Sequence, residues 1–98
     1  MEPTYNLLQI KSDFSSVKKL RLTRTARINA LDELGMDDQD IVDAIASLTS
    51  NDFYKTMPSI KKPCAPYLDV YRFSWKNQRI YAKFQDLCGL IVVSFKAR

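Results

Sequence analysis

The chain has 98 residues, a length that suits one domain with one buried core. Hydrophobic residues make up 46% and charged residues 27%, as in an ordinary globular protein, and the formal net charge is +4. Histidine is absent, which excludes Ser-His-Asp and Cys-His catalysis and argues against a structural zinc site.

The charge is unevenly distributed. Residues 1–57 hold seven Lys or Arg against nine Asp or Glu, whereas residues 58–98 hold eight against two. A basic C-terminal half indicates a phosphate backbone as the partner. The two cysteines, Cys64 and Cys88, form no Cys-x-x-Cys motif, and neither a signal peptide nor an apolar run of ~20 residues is evident. We therefore expect a cytoplasmic protein without a membrane span.

Two helices are predicted before Gly35. The first covers about Asn6–Ser15 with Asn6 as its N-cap, and the second covers Arg24–Leu34 with Thr23 as its N-cap. Gly35 is placed to end the second helix in the left-handed conformation, followed by Met36 as an apolar contact. The expected buried stripes are Leu7, Ile10, Phe14 and Val17 in the first helix, and Ile28, Leu31 and Leu34 in the second. The intervening cations Lys18, Lys19 and Arg21 are expected to be solvated.

A third helix is predicted over Gln39–Leu48, capped by Asp37 or Asp38, with Ile41, Ile45 and Leu48 facing inward. The sequence from Thr49 to Asp52 has the form of a capping box, which predicts a short helical turn at Asp52–Lys55. Three of the four prolines fall in Met57–Pro66, so this segment is expected to be a loop, either functional or a mobile connector.

Three consecutive strands are predicted in the C-terminal part: Tyr67–Trp75, Arg79–Gln85 and Leu90–Phe95. A tight turn centred on Asn77-Gln78 would set Arg72 opposite Lys83 and Ser74 opposite Tyr81. A loop around Leu87-Cys88 would set Tyr81 opposite Ser94 and Arg79 opposite Lys96. The expected fold class is α+β, a single domain over residues 1–98 with an antiparallel three-stranded meander and the helices packed on one face.

Strand alternation divides the side chains of this sheet into two groups. The apolar group predicts a core: Tyr71, Phe73, Trp75, Ile80, Ala82, Phe84, Ile91, Val93 and Phe95. The polar group predicts a cationic face carrying one phenol: Arg72, Ser74, Arg79, Tyr81, Lys83, Ser94 and Lys96. Such a face is either simply solvated or a surface for a polyanion, and the clustering favours the second interpretation. Tyr67 has core parity but begins its strand, so it stays open as a base-stacking candidate.

Four segments carry a family resemblance: Asp52-Phe-Tyr-Lys55, Asp69-Val-Tyr-Arg72, Ile80-Tyr81 with Lys83, and Ile91-Val-Val-Ser-Phe-Lys96. In these segments, and in Asn29-Ala with Asp32-Glu-Leu-Gly35, the chain resembles the motility quorum-sensing regulator (MqsR) toxins. These are small bacterial endoribonucleases of type II toxin–antitoxin modules. The resemblance covers about Tyr5–Lys96, and Leu68 stands where the family often has a glutamine.

The resemblance implies a RelE-like ribonuclease toxin fold and metal-independent, cofactor-free cleavage of single-stranded mRNA at a GCU-like triplet, which inhibits translation and growth. It also implies an antitoxin partner with a zinc-binding N-terminal part and a helix-turn-helix part, through which alone DNA is contacted. The active-site positions carry over to Lys55, Arg72, Tyr81 and Lys96. Of these, only Lys55 lies outside the predicted cationic face. Arg79, Lys83 and Tyr67 are the candidate substrate-binding residues.

The hypothetical mechanism is attack by a ribose 2′-hydroxyl. Arg72 suits the binding of two phosphate oxygens, because its guanidinium is planar and always charged. Lys55, Lys96 and Tyr81 are candidates for base and acid, with their individual roles left open. The alternatives are a non-catalytic nucleic-acid-binding module that uses the same basic face and a pure protein-interaction domain.

Overall fold

The computed structural model describes residues 3–58, 67–87 and 90–97, which form three helices followed by a four-stranded antiparallel sheet. The helices are α1 (Leu7–Asp13), α2 (Arg24–Leu34) and α3 (Asp38–Ala46), with short 3-10 turns at Val17–Lys19 and Ser50–Asp52. The strands are β1 (Phe53–Pro58), β2 (Tyr67–Trp75), β3 (Gln78–Leu87) and β4 (Leu90–Ala97), and their order in the sheet is β1-β2-β3-β4. The predicted α+β class is confirmed, but the sheet has four strands rather than three.

The predicted caps explain where the three helices begin and where α2 ends, whereas α1 and α3 end two residues before the predicted Ser15 and Leu48. The side chains of Asn6, Thr23 and Asp37 each accept a hydrogen bond from a first-turn backbone N–H, so α1, α2 and α3 begin directly after them. Gly35 adopts a φ of 65° and ends α2, and the N–H of Met36 donates to the carbonyl of Ala30. Local sequence therefore determines these boundaries.

The predicted buried stripe of α2 is wrong at two of its three positions. Ile28 and Leu31 are 47% and 57% exposed, whereas Ala26, Ala30 and Leu34 are buried. Because α2 packs along β4, its two alanines allow a close approach that larger side chains would prevent. In the first predicted stripe, Val17 lies beyond α1 and is 40% exposed.

The predicted helical turn at Asp52–Lys55 is also wrong. The capping box from Thr49 to Asp52 is present, but it holds the 3-10 turn Ser50–Asp52, and the chain then enters β1 at the edge of β2. A β-bulge between Phe53 and Lys55 breaks the alternation that identifies a strand in sequence. Met57 and Pro58, predicted as loop, end this strand, and an edge strand tolerates proline. The rest of that predicted loop, with Cys64, lies outside the described residues, as do Cys88 and Gly89.

Both predicted registers are off by two residues. The turn consists of Lys76 and Asn77, with φ values of 48° and 65°, so Arg72 lies opposite Tyr81 and not Lys83. Likewise Tyr81 lies opposite Lys96 and not Ser94. Because side chains alternate with a period of two, a shift of two residues leaves every side chain on its predicted face.

The inner face of the sheet forms the core with the helices. Tyr71, Ile80, Ala82 and Phe84 are fully buried, and Phe84 contacts Phe14 of the first helical region with 5.9 Å between ring centroids. The remaining predicted inner residues are also buried or pack partly buried against this core: Phe73, Trp75, Ile91, Val93 and Phe95. The predicted division of the sheet into two faces is therefore confirmed.

Two charged residues hold segments of the fold together. The buried carboxylate of Asp69 accepts hydrogen bonds from the backbone N–H groups of Thr4 (3.1 Å) and Tyr5 (2.8 Å). Arg21, which was expected to be merely solvated, donates from Nε to the carbonyl of Ile91 at 2.9 Å, and its own carbonyl accepts from Val93 at 3.0 Å. Both interactions fasten the N-terminal region to the sheet.

Candidate active site on the outer sheet face

Three predicted catalytic residues form a row across the outer face of the sheet, the face opposite the helical core. Arg72 on β2 lies directly opposite Tyr81 on β3, and Tyr81 lies directly opposite Lys96 on β4. Directly opposed side chains in antiparallel strands have Cβ atoms about 4.5–5.5 Å apart. The sheet thus presents a guanidinium, a phenol and an ammonium side by side.

The bulge in β1 adds the fourth predicted residue to this row. Phe53 pairs with Tyr71 and packs against its ring at 5.5 Å, whereas Lys55 pairs with Val70, whose side chain belongs to the outer face. The extra residue, Tyr54, therefore shares the outer face with Lys55, although the two are adjacent in sequence. Without the bulge, strict alternation would send one of them to the other face.

The Tyr54 ring contacts three of the four predicted catalytic residues. The guanidinium carbon of Arg72 lies 3.8 Å from the centroid of the Tyr54 ring, and the Nζ atom of Lys55 lies 5.2 Å from it. The ring of Tyr81 stacks with the ring of Tyr54, with 6.4 Å between centroids and 29° between planes. These are cation–π and stacked-ring geometries, which limit the orientations open to Arg72 and Tyr81.

A depression of about 290 Å3 lies within this group and is open to solvent. Val70, which is only 3% exposed, and Met57 give it an apolar part, while cations and phenols supply the rest. Its lining consists of Tyr54, Lys55, Met57, Val70, Tyr81, Lys83 and Lys96. Lysines surrounding a partly apolar cavity raise the local concentration of an anion such as a phosphate.

The remaining predicted substrate-binding residues differ in position. Lys83 lines the depression, and Arg79 lies on the same face one pair further along, opposite Ser74 and exposed. Tyr67 does not join them: it begins β2 opposite Pro58, with inner-face parity, and its carbonyl accepts a hydrogen bond from the hydroxyl of Tyr5. Tyr67 is 47% exposed and lies at the end of β2 remote from Arg72.

Tyr54 was missed as a site residue in the sequence analysis. The predicted helical turn at Asp52–Lys55 left no reason to place its ring on the sheet. The sequence does contain a signal for a strand here. Phe53, Tyr54 and Thr56, which favour strands, surround Lys55, and Pro58 follows at a position that an edge strand tolerates.

The donor set of the site suits anions rather than cations. Lysines, an arginine and phenols bind phosphate oxygens and exchange protons, whereas hard metal ions are held by carboxylates. In residues 3–58, 67–87 and 90–97, no group of three or more His, Cys, Asp or Glu could hold a metal ion. In the same part of the chain, no helix has the length and apolar content to cross a membrane.

Comparison with known proteins identifies the family. Residues 2–97 match a family model described as "Motility quorum-sensing regulator, toxin of MqsA". The chain is also 37% identical over 90 residues to the "mRNA interferase toxin MqsR" of Escherichia coli (strain K12), an alignment that covers 86% of this chain and 90% of that protein. A match across nearly the whole length, together with this identity, shows that the chain belongs to the motility quorum-sensing regulator toxin family.

Proposed function

We propose that this chain is the toxin of a type II toxin–antitoxin system, an endoribonuclease of the mRNA interferase class that cleaves single-stranded mRNA by 2′-hydroxyl attack without a metal ion. The observation that carries the proposal is the cross-strand row of Arg72, Tyr81 and Lys96, extended by Lys55 from the bulge. The name of the Escherichia coli relative supports the same class of reaction and substrate.

Arg72 binds the scissile phosphate. Its guanidinium stays charged and offers two parallel N–H donors to two phosphate oxygens, and the Tyr54 ring, 3.8 Å from the guanidinium carbon, restricts its movement. As the phosphorane forms, its second negative charge increases the attraction to Arg72, Lys55 and Lys96. A cation already in position at the start of the reaction lowers the barrier without reorganisation.

Tyr81 and the flanking lysines move the protons. One of these groups accepts the proton of the 2′-hydroxyl, the O2′–P bond forms, the P–O5′ bond breaks, and a second group protonates the departing 5′-oxygen. The products are a 2′,3′-cyclic phosphate and a 5′-hydroxyl. Lys83 and Arg79 bind the flanking phosphates, and Tyr67 is a candidate for stacking at the far end of β2.

Family membership supports a proposal for the biological setting. The toxin acts in the cytoplasm on mRNA at a GCU-like triplet, which stops translation and growth. An antitoxin with a zinc-binding N-terminal part and a helix-turn-helix part neutralises it and supplies any contact with DNA. The description of the family as "toxin of MqsA" supports the antitoxin partner. Growth arrest on induced expression, relieved by coexpression of the antitoxin, tests this part of the proposal.

The decisive experiment incubates the purified protein with a defined transcript in EDTA and maps the ends of the fragments. We expect cleavage at a short recurrent sequence, leaving 2′,3′-cyclic phosphate and 5′-hydroxyl ends, and a rate about 10²–10³-fold lower with the Tyr81→Phe variant. RNA that is bound in a salt-dependent manner but stays intact would favour the non-catalytic nucleic-acid-binding module. Failure to bind RNA would leave a protein-interaction domain.

A further inference from the structure

A second depression lies beside the candidate active site, between α2 and β4. It has a volume of about 260 Å3 and is lined by Ala26, Asn29 and Glu33 of α2 and by Lys83, Ser94, Phe95 and Lys96 of the sheet. Lys83 and Lys96 also line the first depression, so the two adjoin along these two side chains. A phosphate held at Lys96 therefore places a neighbouring nucleotide within reach of α2.

The packing of α2 builds this second depression. Ala26 and Ala30 are buried against β4, so the helix lies close to the sheet edge. Asn29 and Glu33 are four residues apart and form neighbouring positions on the exposed flank of the same helix. This flank borders the outer face, whereas Ile28 and Leu31 are not part of the lining.

Glu33 is an unusual residue to border a phosphate-binding surface, because its carboxylate repels the RNA backbone. In the described ranges of the chain, no hydrogen bond or ion pair engages that carboxylate, although Lys83 and Lys96 line the same depression. Its two oxygens are therefore available as hydrogen-bond acceptors. RNA offers matching donors on the base edges, where sequence is read in single strands.

Among the four RNA bases, guanine best matches the acceptors of Glu33 and the amide donor of Asn29. Guanine alone presents two adjacent donors, N1–H and the N2 amino group, beside an acceptor, O6. Glu33 can accept both donor hydrogen bonds, and the amide of Asn29 can donate to O6. Uracil offers a single ring N–H, and adenine and cytosine each offer only an amino group beside a ring acceptor. A volume below the ~300–1,000 Å3 of pockets for drug-sized ligands suits one base.

We propose that Asn29, Glu33 and Ser94 form a guanine-binding subsite next to the scissile phosphate, with Glu33 as the residue that determines specificity. The inference rests on the proposed ribonuclease function and deepens it by assigning base recognition to α2, a helix that supplies none of the candidate catalytic residues. Ser94 lies opposite Lys83 and offers a hydroxyl as either donor or acceptor.

The test combines a protein change with a base change. A short RNA with one mapped cleavage position is prepared with each nearby guanosine replaced singly by inosine, which lacks the N2 amino group. We expect inosine at one position to lower kcat/KM of the wild-type protein by about 10- to 100-fold, the usual value of one hydrogen bond to a charged group. Glu33→Gln should cause a similar loss with guanosine and little further loss with inosine, because both changes remove the same contact.

Asp32→Asn is the matched control. It removes the same charge from the next residue of α2, which does not line the depression, so its kcat/KM and its preference for guanosine over inosine should equal those of the wild type. Equal losses in Glu33→Gln and Asp32→Asn would overturn the subsite, since they would reflect charge alone. An undiminished inosine penalty in Glu33→Gln would also overturn it.

A binding measurement tests the guanine subsite independently of the proposed cleavage activity. A fully 2′-O-methylated version of the guanosine oligonucleotide cannot be cleaved, and its affinity is measured by fluorescence anisotropy beside the inosine version. If the wild-type protein does not cleave RNA but binds the guanosine oligonucleotide more tightly than the inosine one, and Glu33→Gln removes this preference, the ribonuclease is refuted and the subsite is retained. Cleavage without any guanosine-to-inosine effect would retain the ribonuclease and refute the subsite.

Discussion

Tyr71 and Tyr81 lie on neighbouring strands of one sheet, yet their surroundings are opposite. Tyr71 points into the core, is fully buried, and has a hydroxyl without a hydrogen-bond partner among the described residues. Tyr81 points to the outer face between Arg72 and Lys96 and stacks with Tyr54. Strand alternation thus places residues that stabilise the fold on one face and candidate catalytic residues on the other. Truncations on the inner face should therefore affect folding, and changes on the outer face should affect cleavage.

The largest effect is expected from truncating the centre of the inner face. Phe84 is fully buried and contacts Phe14 and Tyr71 at 5.9 and 5.7 Å between ring centroids. Phe84→Ala should lower the free energy of unfolding by about 3–5 kcal/mol, because it removes apolar burial and leaves a cavity. Urea denaturation measures this, with Arg79→Ala on the outer face as a control that should unfold like the wild type. An unchanged midpoint for Phe84→Ala would contradict the assigned core.

Changes in the outer row should lower activity without affecting folding. Lys55→Ala, Arg72→Ala and Tyr81→Phe should each reduce the rate of RNA cleavage by about 10²–10³-fold, the usual cost of losing one electrostatic contact to the transition state. Single-turnover cleavage measures the loss, and thermal unfolding should show Tm values close to that of the wild type. If all three variants cut RNA at the parental rate, the site assignment is wrong.

Tyr54 should have a smaller effect that depends on its ring rather than its hydroxyl. Tyr54→Leu should lower kcat by about 3- to 30-fold, the value of a cation–π contact of roughly 0.5–2 kcal/mol to Arg72. Tyr54→Phe keeps the ring and should retain most of the activity. The double variant Tyr54→Leu with Arg72→Lys should raise the activation free energy by less than the sum of the two single variants, because both substitutions disturb the same interaction. Equal kcat losses for Tyr54→Leu and Tyr54→Phe would refute a role for the ring.

The smallest effect at neutral pH is expected for Tyr71→Phe. Its hydroxyl is buried without a partner in the described structure, so removing it should leave stability unchanged or slightly higher. Cleavage should also be unchanged, in contrast to Tyr81→Phe. A large loss of stability in Tyr71→Phe would show that this hydroxyl has an important partner.

The same variant has a distinct effect at alkaline pH. Burial, and secondarily the charge of Asp69, raises the pKa of Tyr71 from 10.0 to about 12. The folded state therefore retains a proton that the unfolded state releases, so this contribution to stability is complete below pH 10 and is lost as pH rises towards 12. Urea denaturation across this range should show a shallower decline for Tyr71→Phe than for the wild type. Tyr5, whose pKa burial also raises, contributes to the decline in both proteins.

The sequence predicted the features that depend on near neighbours in the chain. The caps at Asn6, Thr23 and Asp37 and the C-terminal glycine of α2 are local signals, because each acts within one helical turn. The two sheet faces were also predictable, since alternation survives the register error of two residues at both turns. Lys55 entered the prediction only through the family resemblance.

The predictions that were wrong concern residues whose burial or pairing depends on a segment far away in the chain. Ile28 and Leu31 have the spacing of a buried stripe, yet α2 packs through Ala26 and Ala30 because only small side chains allow its close approach to β4. The segment Phe53–Lys55 follows a helix cap, yet it pairs with β2 as an edge strand because β2 would otherwise have an unpaired edge. Propensity is a weak prior, and tertiary pairing overrides it in both cases.

The sequence by itself determined the fold class, the starts of the helices, the end of α2, and the face of the sheet on which the residues of β2, β3 and β4 lie, because periodicity and capping are properties of a few consecutive residues. Only the tertiary structure decided which side chains meet. The pairing of Arg72 with Tyr81, the bulge that turns Tyr54 and Lys55 to one face, and the placement of Glu33 beside Lys96 all depend on contacts between segments far apart in the chain. Strand register and helix docking are set by the joint burial of those segments, and this is why the candidate active site became complete only in three dimensions.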